Sequence, residues 1–168
     1  MNSQNEKRSQ ISKKDSISAE KSVCRESRFM NDKIFLDTNI LLYAHDRDAG
    51  LKHDTALSIL EKVWEEKIGI ISTQVIQEFY VNVTRKTPNP ISPVQARGII
   101  LNYFSWQVEA VEPHTILSAS EIEEKYLLSF WDSLIIATAS QSEAAKILTE
   151  DLNHGQTIEG VLIENPFL

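Results

Sequence analysis

Lys33-Ile34-Phe35-Leu36-Asp37-Thr38-Asn39-Ile40-Leu41-Leu42-Tyr43 sets an apolar run against an acid, two small polar residues and a second apolar run. The first run is too short for a helix and reads as a buried strand over 33–37 that ends on Asp37; a short helix follows from Thr38 to Tyr43. The same alternation recurs downstream. Apolar positions 56, 57, 59, 60, 63 and 64 have helical spacing over 53–64. Residues 68–72 read as a second strand, and Thr73 as the N-cap of a helix from Gln74 to about Arg85. Thr87-Pro88-Asn89-Pro90 breaks the chain, and Ser92-Pro93 opens another helix. A third strand over 107–111 is followed by a helix from Pro113 to about Leu127. Asp132 reads as the cap of a helix from Ser133 to about Ser142, before strands at 145–149 and 161–164. Short apolar strands separated by helices predict an α/β domain with a mainly parallel sheet.

Composition bounds the rest. The 168 residues are 42% hydrophobic, enough for one globular domain with its own core. No apolar run approaches the ~20 residues that span a bilayer. Cys24, the one cysteine, excludes an intramolecular disulfide and a cysteine-based zinc site, and points to a soluble protein of a reducing, cytoplasmic compartment. A net charge of −7 excludes binding of nucleic acid by bulk electrostatics. That charge is uneven: residues 1–29 hold seven Lys/Arg and four Asp/Glu, whereas residues 30–168 hold ten and twenty. The Ser-, Lys- and Glu-rich segment 1–29 lacks apolar periodicity and reads as a disordered basic tail, either an arm for RNA or a partner or an extension without function. It lacks the continuous apolar core of a secretory signal. Met30 is an alternative start, and the folded domain is expected over 30–168.

In open parallel sheets the functional crevice lies beyond the carboxyl ends of the strands. Asp37 ends the first strand, Glu78 lies one turn into the helix after the second, Asp132 begins the helix feeding the fourth, and Asp151 follows the fourth by two residues. Each alone has an ordinary explanation, as turn residue, cap or solvated acid. Four acids converging on one crevice would repel one another and raise each other's pKa, and a divalent cation removes that penalty. Oxygen ligands suit Mg2+ or Mn2+, with Thr38 and Asn39 placed to orient Asp37.

Ile34 to Tyr43 resembles the opening motif of PIN-domain nucleases. The match continues in order through Gln77-Glu78-Phe79-Tyr80, Phe130-Trp131-Asp132-Ser133-Leu134-Ile135 and Leu148-Thr149-Glu150-Asp151-Leu152. Compact single-domain members are typically VapC-type toxins of bacterial toxin–antitoxin pairs, and the chain is most similar to those. The resemblance implies a three-layer α/β/α fold with a parallel sheet of about five strands and a Mg2+- or Mn2+-dependent endoribonuclease. Asp37, Glu78, Asp132 and Asp151 would form its metal-binding catalytic site, supported by Thr38 and Asn39. It further implies a homodimer silenced by a protein antitoxin. Glu150 competes with Asp151 as the fourth acid; the motif favours Asp151, with Glu150 turned outward. Metal-assisted hydrolysis would leave a 5′-phosphate without a histidine base.

Arg85 and Lys86 are candidate phosphate contacts, or else cations at a helix C-terminus. Trp131 is a candidate base-stacking residue, or else part of the core. Trp106 and Tyr103 are candidates for a dimer face. His45, His53, His114 and His154 form no metal-ligand pattern, and no phosphate-binding glycine motif occurs. Two other readings stay open. One is a phosphatase using Asp37 as nucleophile, disfavoured because position 39 is Asn where haloacid-dehalogenase-type phosphatases need Asp. The other is a non-catalytic PIN-like module that binds RNA or protein.

Overall fold

The computed structural model describes residues 33–168, so the expected basic tail over 1–29 lies outside the described residues. In chain order these residues form β1 (Ile34–Leu36), α1 (Thr38–His45), α2 (Leu51–Glu66), β2 (Gly69–Ser72), α3 (Thr73–Val81), α4 (Pro93–Tyr103), β3 (Gln107–Glu109), α5 (Pro113–Tyr126), α6 (Phe130–Gln141), β4 (Lys146–Leu148), β5 (Thr157–Ile158) and β6 (Val161–Glu164). The six strands make one sheet in the order β3-β2-β1-β4-β6-β5. All neighbours are parallel except β5 and β6. The sheet sits in a three-layer α/β/α arrangement. One helix group contains α1, which packs on α2 and α3; the other pairs α5 with α6, and α6 lies on β2, β4 and β6.

The sequence explains the layers. Every residue of β1 and β2 is buried, as central strands covered on both faces require. Seven consecutive residues of α6, Ser133 to Ala139, are also buried, so this helix is core on all sides. The strand order turns back at β1: the chain builds outward to β2 and β3, then returns to β4 on the other side. The crevice expected at such a switch point falls between the ends of β1 and β4.

Several local expectations change. Ser72, rather than Thr73, caps α3, its hydroxyl accepting from Val75 N; the Thr73 hydroxyl accepts from Val111 N instead. After Val81 the helix widens into a π-helical stretch, Asn82–Lys86. Ser129, rather than Asp132, caps α6, so Asp132 lies within the first turn. The two-residue strand β5 adds a sixth member that a short, half-exposed pair did not announce. Tyr103 and Trp106 are almost fully buried beside Phe79 and Trp64, so neither offers a dimer face. Trp131, by contrast, is 62% exposed and not core. Among the described residues no helix is long and apolar enough to cross a membrane.

Gly69 marks how closely β2 is packed. A Cβ there would meet the Trp106 ring and Val63 Cγ1, both at 2.7 Å. Gly69→Ala is therefore expected to destabilise the domain by about 1–3 kcal/mol through overpacking, measurable as a lower urea midpoint.

Candidate active site

Asp37 leaves β1 in an extended conformation and caps α1, its Oδ1 accepting from Thr38 N at 2.6 Å. Its Oδ2 accepts from the Thr149 hydroxyl at 2.7 Å and from Asn39 Nδ2 at 3.2 Å. The same Asn39 amide donates to Asp151 Oδ2 at 3.1 Å, tying the end of β1 to the loop after β4. Thr149 also accepts from Asp151 N at 3.1 Å. Glu78 arrives from α3: its Oε2 accepts from the Thr38 hydroxyl at 2.8 Å and its Oε1 from Gln74 Nε2 at 2.9 Å. Three of the four expected acids thus meet through Thr38, Asn39, Thr149 and Gln74.

Asp37 carries the electrostatic consequence. Burial raises its pKa to about 6; the bonds from Thr149 and Thr38 pull it down, while the charges of Asp151 and Glu78 push it further up. Asp132 is not among those perturbing charges. Its carboxyl accepts from the Ser129 hydroxyl at 2.7 Å, and Ser129 in turn accepts from Asp132 N. Alone of the four expected acids, Asp132 is tied to none of the others by these bonds; only the neighbouring Trp131 carbonyl is approached by Gln74 Nε2, at 3.4 Å.

Glu150 is engaged elsewhere. It bonds Tyr43 and pairs with Lys52, whose ammonium lies 4.6 Å from the Tyr43 ring centroid. It is therefore diverted sideways, and not simply turned outward, leaving Asp151 beside Asp37. His154 occupies a turn, its Nδ1 accepting from Asn165 N at 3.0 Å. Lys86 and Trp131 line one groove with Glu78; Arg85 is exposed and does not line it.

Thr149 and Gln74 were not singled out in the sequence. The strand-end rule points to Thr149, which directly follows β4, and helical spacing points to Gln74, four residues before Glu78.

The arrangement fits a hard divalent cation. The donors are all oxygen, the acids crowd one another, and the buried Asn39 Oδ1 and Gln74 Oε1 have no hydrogen-bond partner. Among the described residues no group of three or more aspartates, glutamates, histidines or cysteines is placed to hold a metal ion. Mg2+ does not need one, since it is commonly held by one or two carboxylates and keeps several waters.

The sequence profile of the PIN domain family matches residues 34–158. The chain belongs to the PIN domain family. Solved structures share its fold at low identity. The Mycobacterium tuberculosis toxin VapC20, described as cleaving the sarcin–ricin loop, is 22% identical with a TM-score of 0.56, covering 71% of this chain and 92% of its own. A toxin–antitoxin complex from Klebsiella pneumoniae is 20% identical with a TM-score of 0.58, covering 80% and 98%. A DNA-bound VapBC from Salmonella typhimurium is 16% identical with a TM-score of 0.59, also covering 80% and 98%. No curated protein matches the chain in sequence.

In this PIN domain Asp37 titrates higher folded than unfolded, so its ionisation lowers stability as pH rises from about 4 through about 6. In EDTA at pH 8, Asp37→Asn is expected to stabilise the protein by about 1–3 kcal/mol. The gain should vanish near pH 4, where neither state carries the full charge; urea titrations at the two pH values measure both.

Proposed function

We propose that the chain is a divalent-metal-dependent endoribonuclease and the toxin of a toxin–antitoxin pair. The observation that carries this reading is the meeting of Asp37, Asp151 and Glu78, linked through Thr38 and Asn39, at the switch point of a PIN fold. Its fold neighbours include a loop-cleaving toxin and toxin–antitoxin complexes, which supports a protein antitoxin as partner. A cytoplasmic homodimer belongs to the same reading.

Asp37, Glu78 and Asp151 would hold the cation, with Asp132 completing the acidic site from the first turn of α6. A bound Mg2+ or Mn2+ would offset the carboxylate charge, polarise the attacking water and stabilise the phosphate oxygens. The chain's own residues supply order. Thr38 and Gln74 hold both oxygens of Glu78, so that this side chain cannot swing back along α3. Asn39 keeps Asp37 and Asp151 at a fixed separation, and Thr149 bonds both the Asp37 carboxyl and the Asp151 backbone. Four carboxylates repel an anionic backbone, so RNA is expected to bind productively only after the charge is offset.

Purified protein, freed of any partner, should cleave a pool of structured RNAs in Mn2+ and leave 5′-phosphate ends. EDTA, Asp37→Asn and Asp132→Asn should each reduce cleavage to background, and Thr149→Val should slow it about 10-fold or more. Undiminished cleavage in EDTA or by Asp37→Asn would contradict the reading.

A further inference from the structure

We propose that the groove between α3 and the first turn of α6 seats one unstacked nucleotide of single-stranded RNA, its base on the Trp131 indole and its phosphate at Lys86. This rests on the nuclease reading only in placing that nucleotide beside the scissile phosphate. The groove measures about 420 Å³ and is lined by Gln77, Glu78, Val81, Asn82, Lys86 and Trp131. That volume lies in the usual range for small-ligand pockets. Glu78 belongs to both groove and acid site, so the two are continuous.

The three tryptophans are not equivalent. Trp64 stacks on Tyr103, and Trp106 is buried against both. Trp131 alone stands outside that cluster, 62% exposed. Phe130 meets its ring edge-on at 5.6 Å between centroids, and Gln74 approaches its backbone carbonyl. An exposed indole is a stacking platform that accepts any base, and only unstacked bases reach one.

The other wall supplies polarity and charge. Where α3 widens into its π-helical stretch, Asn82 Nδ2 donates to the Glu78 carbonyl at 2.8 Å. Such widened turns recur at functional sites. Lys86 ends the stretch, is exposed and, like Lys33, Lys62 and Lys67, has no ion-pair partner among the described residues. On a body with twice as many acids as bases, an unpaired cation at the end of an aromatic groove suits a phosphate. The Gln77 amide offers a donor and an acceptor to a base edge.

The test uses the full chain carrying Asp37→Asn, in Mn2+, with a fluorescein-labelled single-stranded RNA octamer pool and a duplex of equal length. Adding Trp131→Ala should weaken single-strand binding about 10-fold, and Trp131→Phe should stay within about threefold of the parent. Lys86→Gln should weaken binding across the pool and lower the slope of log affinity against log salt by about one. Equal thermal midpoints confirm intact folds. Trp131→Ala within twofold of the parent, equal losses for duplex and single strand, or a parent that binds only a protein partner would each overturn the groove assignment. Cleavage by the wild-type chain separates the two readings. Cleavage with binding insensitive to Trp131 removes the groove alone. Trp131-dependent binding without any cleavage removes the nuclease alone.

Discussion

The half-buried carboxyl of Asp37, placed within reach of two other acids, is the constraint around which the carboxyl end of the sheet is arranged. Burying one carboxylate is costly, and each further negative charge adds to the cost. The neighbours reduce it with neutral donors: a backbone N–H from Thr38, a hydroxyl from Thr149 and an amide from Asn39. None of these is a cation, so the charge is dispersed but not neutralised, and the pKa stays raised. A fifth acid, Glu150, is kept out of the crowd by Lys52 and Tyr43. Negative charge is thereby concentrated around Asp37, while Glu150 beside it is paired with a cation.

Strand order makes this convergence possible. β1 lies between β2 and β4, so residues just past three neighbouring strands share one edge. Asp37 comes from the first, Glu78 from the helix after the second, and Thr149 and Asp151 from the loop after the last. The opposite half of the domain is given to packing. Trp64, Tyr103 and Trp106 form an aromatic cluster under which only glycine fits at position 69. A rigid floor of this kind holds the strand ends, and therefore the acids, in fixed relation.

Much of this was legible in the sequence because the strong signals are local. The alternation of short apolar runs with helical spacing fixes the α/β class, and the strand-end rule finds Asp37 and Asp151. What was hidden depends on partners distant in sequence or on choices between adjacent residues. Ser72 and Thr73 are both good caps, and only the geometry shows that Thr73 is committed to Val111. Asp132 and Ser129 are both capping types, and the helix begins a turn earlier than its apolar run because Ser129 and Asp132 bond each other. Tyr103, at the end of α4, and Trp106, just before β3, are buried by Trp64 from α2 and Phe79 from α3, contacts that sequence spacing does not reveal. The bond from Thr149 to Asp37 forms only because β1 pairs with β4, whereas Gln74 reaches Glu78 within a single helix.

The claim that these acids form a cation site is tested most directly by the carboxyl carbon resonance of Asp37, followed by NMR titration with and without Mg2+. The account predicts a midpoint near 6 in EDTA, set by burial, Asp151 and Glu78, and a fall below the ordinary aspartate value of about 4 when Mg2+ is added. A midpoint already near 4 in EDTA, unmoved by Mg2+, would contradict it.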